Sequence, residues 1–319
     1  MNISDILLGA AIIIAAPAVN RVGEAKAQQI HPDQVVVDSP FVHDPVLAYE
    51  NGKYYLYSTG HGISQMTSAD RKHWTLCREG VLKNHEIPAW THDSVPGFHT
   101  HIWAPDVIHY RNKWYLAYSC STFGKNTSAI GLLSNTSLAN MNGWKDEGCI
   151  LASEGKRDNW NAIDPNFVID DKGNPWMTWG SFWDGIQLVK LDKKTMHVKK
   201  GAMPQTIARR HAFGDASAEL NPTSKFAGTN AIEAPFIMKH GGYYYLFVSW
   251  DYCCRGIKSN YRVAVGRSKN VAGPYLDKNG KDMRNGGGTL ILEGDKKEFE
   301  AMGHCSAYSF PDEIGRAHV

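Results

Sequence analysis

Cysteine is scarce and badly placed for a framework: there are six in 319 residues, two of them adjacent at Cys253 and Cys254. No Cys-x-x-Cys pair occurs, which removes the usual zinc ribbons and dithiol redox motifs, and leaves disulfides unassigned. Charge of one sign is also lacking. Thirty-four Lys and Arg against 32 Asp and Glu give a formal net charge of +2, so nothing points to nucleic acid or to an acidic partner surface. There is no glycine-rich phosphate loop and no sustained heptad pattern, so a nucleotide fold and a coiled coil are both unsupported. The one long apolar run, Ile6 to Val19, is too short for a comfortable membrane span.

That run has another use. Ala25-Lys26-Ala27 follows it as a small-x-small cleavage site before Gln28, so residues 1–27 read as a signal peptide and the protein as secreted. Residues 28–312 then read as one catalytic domain, since no linker or low-complexity segment divides them.

A repeat is present. His43-Asp44-Pro45-Val46, Ala104-Pro105-Asp106-Val107, Asp164-Pro165-Asn166-Phe167 and Ala234-Pro235-Phe236-Ile237 each lead into a polar turn and an aromatic strand ending in or beside serine. A proline at a strand start is ordinary taken singly. Four aligned copies at intervals of about 60–70 residues are repeat architecture with long insertions. Each unit reads as two strands joined by a tight turn, with further strands between units, such as Ser128 to Ser134 and Arg262 to Ser268. The expected fold is therefore all-β, a propeller with blades around a central channel. Asp44, Asp164 and Glu233 lie at or next to the residue before the proline in three of the four units, so they should converge on that channel.

Two carboxyl groups across a wet cleft, one protonated and one ionised, are the minimum apparatus for cleaving a glycosidic bond. A third carboxylate would raise the pKa of the acid. A calcium or magnesium cage is a competing reading, because hard cations also take carboxylate oxygens. A lectin-like propeller that binds sugar without chemistry is another. His92, His99 and His101 read as loop histidines rather than a metal site. Asn126-Thr127-Ser128 and Asn135-Thr136-Ser137 match the glycosylation pattern.

From His43 to Phe310 the chain resembles glycoside hydrolase family 43, and within it the arabinan endo-1,5-α-L-arabinosidases. The motifs that carry the resemblance are His43-Asp44-Pro45, His101-Ile102-Trp103-Ala104-Pro105-Asp106, Asn161-Ala162-Ile163-Asp164-Pro165-Asn166, Trp179-Gly180-Ser181-Phe182-Trp183-Asp184-Gly185-Ile186-Gln187, Glu233-Ala234-Pro235 and Asp251-Tyr252-Cys253-Cys254-Arg255-Gly256. It implies a five-bladed propeller, inversion at the anomeric carbon, Asp44 as general base, Glu233 as general acid, and Asp164 as the residue that tunes and orients Glu233. It further implies that Asn161, Ala162, Ile163, Ser181, Phe182 and Trp183 touch arabinose units, with Trp103 and Phe123 as stacking surfaces. His304, in Gly303-His304-Cys305-Ser306, corresponds to a histidine that helps hold a hydrated calcium ion in the channel; no organic cofactor is implied. The expected partner is arabinan or its oligosaccharides, with no nucleic acid and no membrane, and the protein is expected to act as a monomer. Exo-acting relatives on arabinosides or xylosides, and a non-catalytic sugar binder, are the alternatives. The fifth repeat opens near His304 while the chain ends at Val319, so the fifth blade is expected to be largely missing. Residues 313–319 resemble a translated adapter rather than native protein.

Overall fold

The computed structural model describes residues 34–212, 230–311 and 317–318. The expected signal peptide lies outside the described residues, as does most of the 313–319 tail. No helix among the described residues is long and apolar enough to cross a membrane.

Four antiparallel sheets follow one another along the chain. The first blade runs outward from Val46–Glu50 through Lys53–Ser58, Ser64–Ser68 and Trp74–Cys77, and Gln34–Val37 closes its rim. The second uses His101–Tyr110, Lys113–Cys120, Ser128–Asn135 and Lys145–Ser153, with Gly60–His61 of the preceding connection paired to its innermost strand. The third is Asn166–Ile169, Pro175–Trp179, Ile186–Lys190 and Gln205–Ala208. The fourth is Ile232–His240, Tyr243–Trp250, Arg262–Ser268 and Thr289–Glu293. The innermost strands of successive blades pack beside one another, which is the all-β propeller expected from the repeat. The blades described number four, against the five expected.

The aromatic strands owe their composition to burial on both faces. Tyr55 and Tyr57 pack into the core between the first and second blades, while Leu56 between them points to the opposite face with Leu47, Met66 and Trp74. Leu116 and Tyr118 face the first blade, and Tyr115 and Ala117 face the third. With a side-chain period of two and a neighbour on each side, both faces must be apolar. Trp179 is fully buried between the second and third blades, edge-on to Trp160.

Each blade begins with the same unusual residue. Asp44, Ala104, Asp164 and Ala234 all have left-handed backbones, with φ of 53°, 43°, 56° and 53°, and His304 repeats the conformation at 47°. None is glycine, and such strain persists only where the surroundings over-determine it, commonly at functional sites. The surroundings here are hydrogen bonds to the preceding blade. The Ala104 N–H donates to Thr59 Oγ1 at 2.8 Å, the Asp164 N–H to Ser119 Oγ at 3.0 Å, and the His304 N–H to Ser249 Oγ at 2.7 Å. In the second and fourth blades a β-bulge follows, between Trp103 and Asp106 and between Glu233 and Phe236. A bulge re-aims the side chains beside it.

Beyond the fourth blade, residues 301–308 run back to the first. Ser306 Oγ donates to the Pro45 carbonyl at 2.9 Å, and the Leu47 N–H donates to the Tyr308 hydroxyl at 2.8 Å. Tyr308 lies edge-on to Phe236 and packs against the first blade.

Asn126 and Asn135 are both buried, their side-chain amides donating to the carbonyls of Asp158 and Trp160 and of Asn140 respectively. A tripeptide pattern carries no information on accessibility, and neither amide is free to take a glycan. All six cysteines are free.

Candidate active site

The left-handed turn explains how three acids far apart in sequence share one end of the channel. Asp44 and Asp164 occupy the strained position in the first and third blades, and Glu233 stands one residue before it in the fourth. Their electrostatics are mutual: the charges of Asp44 and Glu233 raise Asp164, and that of Asp44 raises Glu233.

Asp44 is held as a carboxylate. Its side chain is 10% exposed, with Oδ1 2.9 Å from His304 Nδ1 and Oδ2 2.8 Å from His43 Nδ1. The Thr59 hydroxyl donates to the same Oδ2 at 2.5 Å. Burial opposes the charge, but the imidazoles of His304 and His43 outweigh it and hold the carboxyl far below its ordinary range. His304 rises to about 9 against its own burial, because Asp44, Asp164 and Glu233 surround it.

Asp164 and Glu233 show the opposite behaviour. Burial, with Glu233 and Asp44 nearby, pushes Asp164 up to about 8, against the pull of His304 and of the Ala234 N–H. Burial also raises Glu233, against hydrogen bonds from Ser181 and Tyr261. Ser181 Oγ lies 2.6 Å from Glu233 Oε2, and the Tyr261 hydroxyl 2.7 Å from Oε1. The Ala234 N–H donates to Asp164 Oδ2 at 3.1 Å. Two buried, coupled carboxyls raised in this way share one proton at neutral pH. Ser181 and Tyr261 ease the charged form of Glu233 as the Ala234 N–H eases that of Asp164. A hydroxyl can also turn to accept when the carboxyl beside it is protonated.

The residues expected to line a sugar site fall into two groups. Asn161, Ala162, Ile163, Ser181 and Trp183 are buried. Asn161 Oδ1 accepts from Ser128 at 2.7 Å, and the Ala162 N–H donates to Ser153 Oγ at 2.9 Å. The Trp183 carbonyl accepts from Asn230 at 2.6 Å, which fixes the Trp179-to-Gln187 segment beside the fourth blade. Ala162 is fully enclosed in the core between the second and third blades. Trp103 and Phe182 are half-buried, and Phe182 lies 5.8 Å from the Tyr252 ring. Phe123 is 79% exposed in the connection after Lys113–Cys120.

Sequence reasoning missed three groups that contact the acids: His43, Thr59 and Tyr261. Thr59 carried a signal, since it stands where Ser119 and Ser249 stand in their repeats.

A cavity of about 440 Å³ opens beside Asp44 between the first and fourth blades, lined among others by His43, Cys253, Cys254, Tyr261 and His304. It does not itself include Asp164 or Glu233. Among the described residues no three His, Cys, Asp or Glu groups are arranged to hold a metal ion. His304 offers one imidazole, with Nδ1 committed to Asp44. Calcium prefers a shell of oxygens, so this donor set does not ligate it directly.

Comparison with known proteins bears on this geometry. The profile of the family described as Glycosyl hydrolases family 43 matches residues 34–314. The chain belongs to that family. It is 43% identical over 272 residues to an extracellular exo-α-(1→5)-L-arabinofuranosidase of Cellvibrio japonicus, covering 84% of this chain and 76% of the relative. It is 42% identical over 257 residues to an extracellular endo-α-(1→5)-L-arabinanase of Bacillus subtilis, covering 79% and 73%. Among solved structures, an exo-1,5-α-L-arabinanase from a bovine ruminal metagenomic library superposes with a TM-score of 0.75 at 52% identity, over 85% of each chain. As a family 43 glycosidase, this protein has carboxyl groups in two protonation regimes, one held ionised and one pair sharing a proton, which is what glycosidic cleavage requires.

Proposed function

We propose that this glycosidase hydrolyses the α-1,5-L-arabinofuranosidic bonds of arabinan, cutting within the chain and inverting the anomeric carbon. The observation that carries the reading is the divergence of its carboxyls: Asp44 pulled down by two imidazoles, Glu233 pushed up by burial and by the charge of Asp44. Glu233 donates its proton to the leaving glycosidic oxygen as that bond to the anomeric carbon breaks. Asp44 accepts a proton from the water that attacks the same carbon from the opposite face. Asp164 stays charged, raises Glu233 and fixes the turn that carries it. Inversion requires the two working carboxyls to stand about 6.5–9.5 Å apart, leaving room for that water.

Asn161, Ala162, Ile163, Ser181, Phe182 and Trp183, with Trp103 and Phe123, form the proposed sugar wall, Ala162 and Ile163 through their backbones. Sugars present C–H faces to rings and hydroxyls to polar groups, and this segment supplies both. The exported, monomeric state is part of the proposal, supported by the leader-like residues 1–27 and by relatives named extracellular. So is a fifth blade opening at His304, whose left-handed turn and bond to Ser249 repeat those of the other blades. For calcium the proposal is confined to an ion held through water at His304, and no chemical step passes through it; calorimetric titration with calcium chloride tests it.

Exo action is the second reading, favoured by the names of two of the relatives. Incubation with linear 1,5-arabinan and with xylan, following product sizes over time, separates the modes. Early mixed oligomers from arabinan support internal cleavage. Arabinose alone from the start replaces it with exo action, and activity on xylan alone rejects the arabinan reading. The anomer first released, read by proton NMR before mutarotation, decides inversion.

A further inference from the structure

One group in this cleft has no part in glycosidic cleavage. Cys253 and Cys254 sit in the connection after Tyr243–Trp250, and Cys254 is exposed with a left-handed backbone at φ 59°. Its Sγ lies 3.8 Å from His43 Nε2, and His43 Nδ1 lies 2.8 Å from Asp44 Oδ2. Carboxylate, imidazole and thiol therefore form a relay that opens into the 440 Å³ cavity, which His43, Asp44, Cys253 and Cys254 all line. A carboxylate that engages one imidazole nitrogen orients the other towards the sulfur, and this is how nucleophilic thiols are activated.

Three of the other cysteines differ. Cys120 is buried in the core, and burial raises it well beyond the ordinary thiol range. Burial likewise pushes Cys149 up to about 11 and Cys305 up to about 12. Cys254 moves the other way, to about 5, because the Cys253 thiol and the His43 imidazole both donate to its sulfur. An exposed thiolate beside an imidazolium is the environment of a reactive cysteine, whereas buried thiols are inert.

We propose that Cys254 is a reactive thiol at the mouth of the cleft, a covalent modification site for small disulfides and other soft sulfur electrophiles, and that its capture blocks the cleft. The Cys254 thiolate attacks one sulfur of a disulfide RSSR. The Cys254–SR bond forms, the R–S bond to the second sulfur breaks, and RS⁻ leaves with the electron pair and takes a proton from water. An added thiol reverses the exchange by the same route. The adduct lies against His43, and so next to the proposed base. Only the activity readout rests on the arabinanase reading.

The test is treatment of the full chain with methyl methanethiosulfonate at pH 7, followed by intact mass, peptide mapping and arabinan hydrolysis on the same aliquots. The expected result is a single early adduct at Cys254, formed at least tenfold faster than on free cysteine. Activity should fall in parallel and return with dithiothreitol. C254S should keep its activity and lose its sensitivity. His43→Gln should slow labelling. Labelling of Cys254 no faster than free cysteine, or a fully labelled enzyme with full activity, overturns the proposal. If the untreated enzyme does not cleave arabinan, the functional reading falls instead, and the labelling rate, which needs no substrate, still decides the reactivity of the thiol.

Discussion

The Asp164 carboxylate accepts the backbone N–H of Ala234 at 3.1 Å, a role that a hydroxyl fills at the turns of Ala104, Asp164 and His304. Thr59, Ser119 and Ser249 are those hydroxyls, and the register of the third blade puts Gly180 at the equivalent position, with no side chain to offer. Asp164 therefore takes over the junction. One carboxylate oxygen is spent on holding the turn that carries Glu233, and the charges of Asp164 and Glu233 repel, so that Glu233 raises the Asp164 pKa. The site's geometry and its proton affinity are thus coupled through one side chain.

Asp164→Asn separates the two. The amide oxygen can still accept the Ala234 N–H, so the turn is kept while the charge goes. In the proposed mechanism Glu233 is the general acid and must be protonated, so activity is lost on the alkaline side as it ionises. Without the neighbouring charge Glu233 ionises at lower pH, and the alkaline limb of kcat/KM should move to lower pH. The rate should fall about 10²–10⁴-fold, the usual worth of a positioned acid–base group. A pH–rate profile that keeps its alkaline limb in place removes the tuning role.

The hydroxyls on Glu233 should act with the opposite sign. Ser181 and Tyr261 donate to its carboxylate and stabilise the ionised form. Tyr261→Phe or Ser181→Ala removes one donor, raises the Glu233 pKa, and should move the alkaline limb to higher pH. Each change should also cost about 1.5–3 kcal/mol of support for the charged carboxyl. Opposite shifts in these variants and in Asp164→Asn would identify Glu233 as the titrating group; shifts in one direction would exclude it.

What the sequence made legible followed from the repeat. The Asp-Pro and Ala-Pro copies marked the blade starts, and the acids could be placed on a common channel without a contact map. The hydroxyl ties were equally periodic but went unread, because Thr59, Ser119 and Ser249 look like ordinary strand-end residues until their partners are known. Tyr261 showed no role, since it lies just before Arg262–Ser268 and meets Glu233 of Ile232–His240 only through the fold. Blade number was harder still. The segment around His304 carries the left-handed turn with Cys305 in place of the proline, and a turn alone does not specify the strands that follow it.

Glu50 offers a test of what locks the first blade to the second. Its carboxylate accepts from Trp114 Nε1 at 2.6 Å, Ser137 Oγ at 2.7 Å and the Leu138 N–H at 2.8 Å. Burial raises its pKa but these donors outweigh it, so the folded value is lowered. A depressed carboxyl stabilises the fold above its unfolded pKa, and this contribution fades as pH falls through the folded value. Glu50→Ala should therefore lower stability at pH 7 by about 1–3 kcal/mol, the cost of stranding the donors. The deficit relative to wild type should shrink in acid. Thermal melts at pH 7 and in acid check it, and a constant difference across that range would deny the carboxylate its role.

Thr59 joins the fold to the proposed base. Its hydroxyl donates to Asp44 Oδ2 at 2.5 Å and accepts the Ala104 N–H at 2.8 Å, while its own N–H is held by the His43 carbonyl at 2.9 Å. One oxygen thus fixes the rotamer of Asp44 and the strained turn of the next blade. Thr59→Val keeps the shape and removes the oxygen, leaving a buried carboxylate one donor short and the Ala104 N–H without its acceptor. Losing a hydrogen bond to a charged group costs about 1.5–3 kcal/mol, which corresponds to a fall in kcat of roughly 10- to 100-fold if the loss is felt in the transition state. KM should change little, since in the proposed mechanism Asp44 acts on water rather than on the sugar. Thr59→Ser restores the hydroxyl and should restore most of the rate. If the serine variant is as slow as the valine one, packing of the threonine methyl and not the hydroxyl positions Asp44.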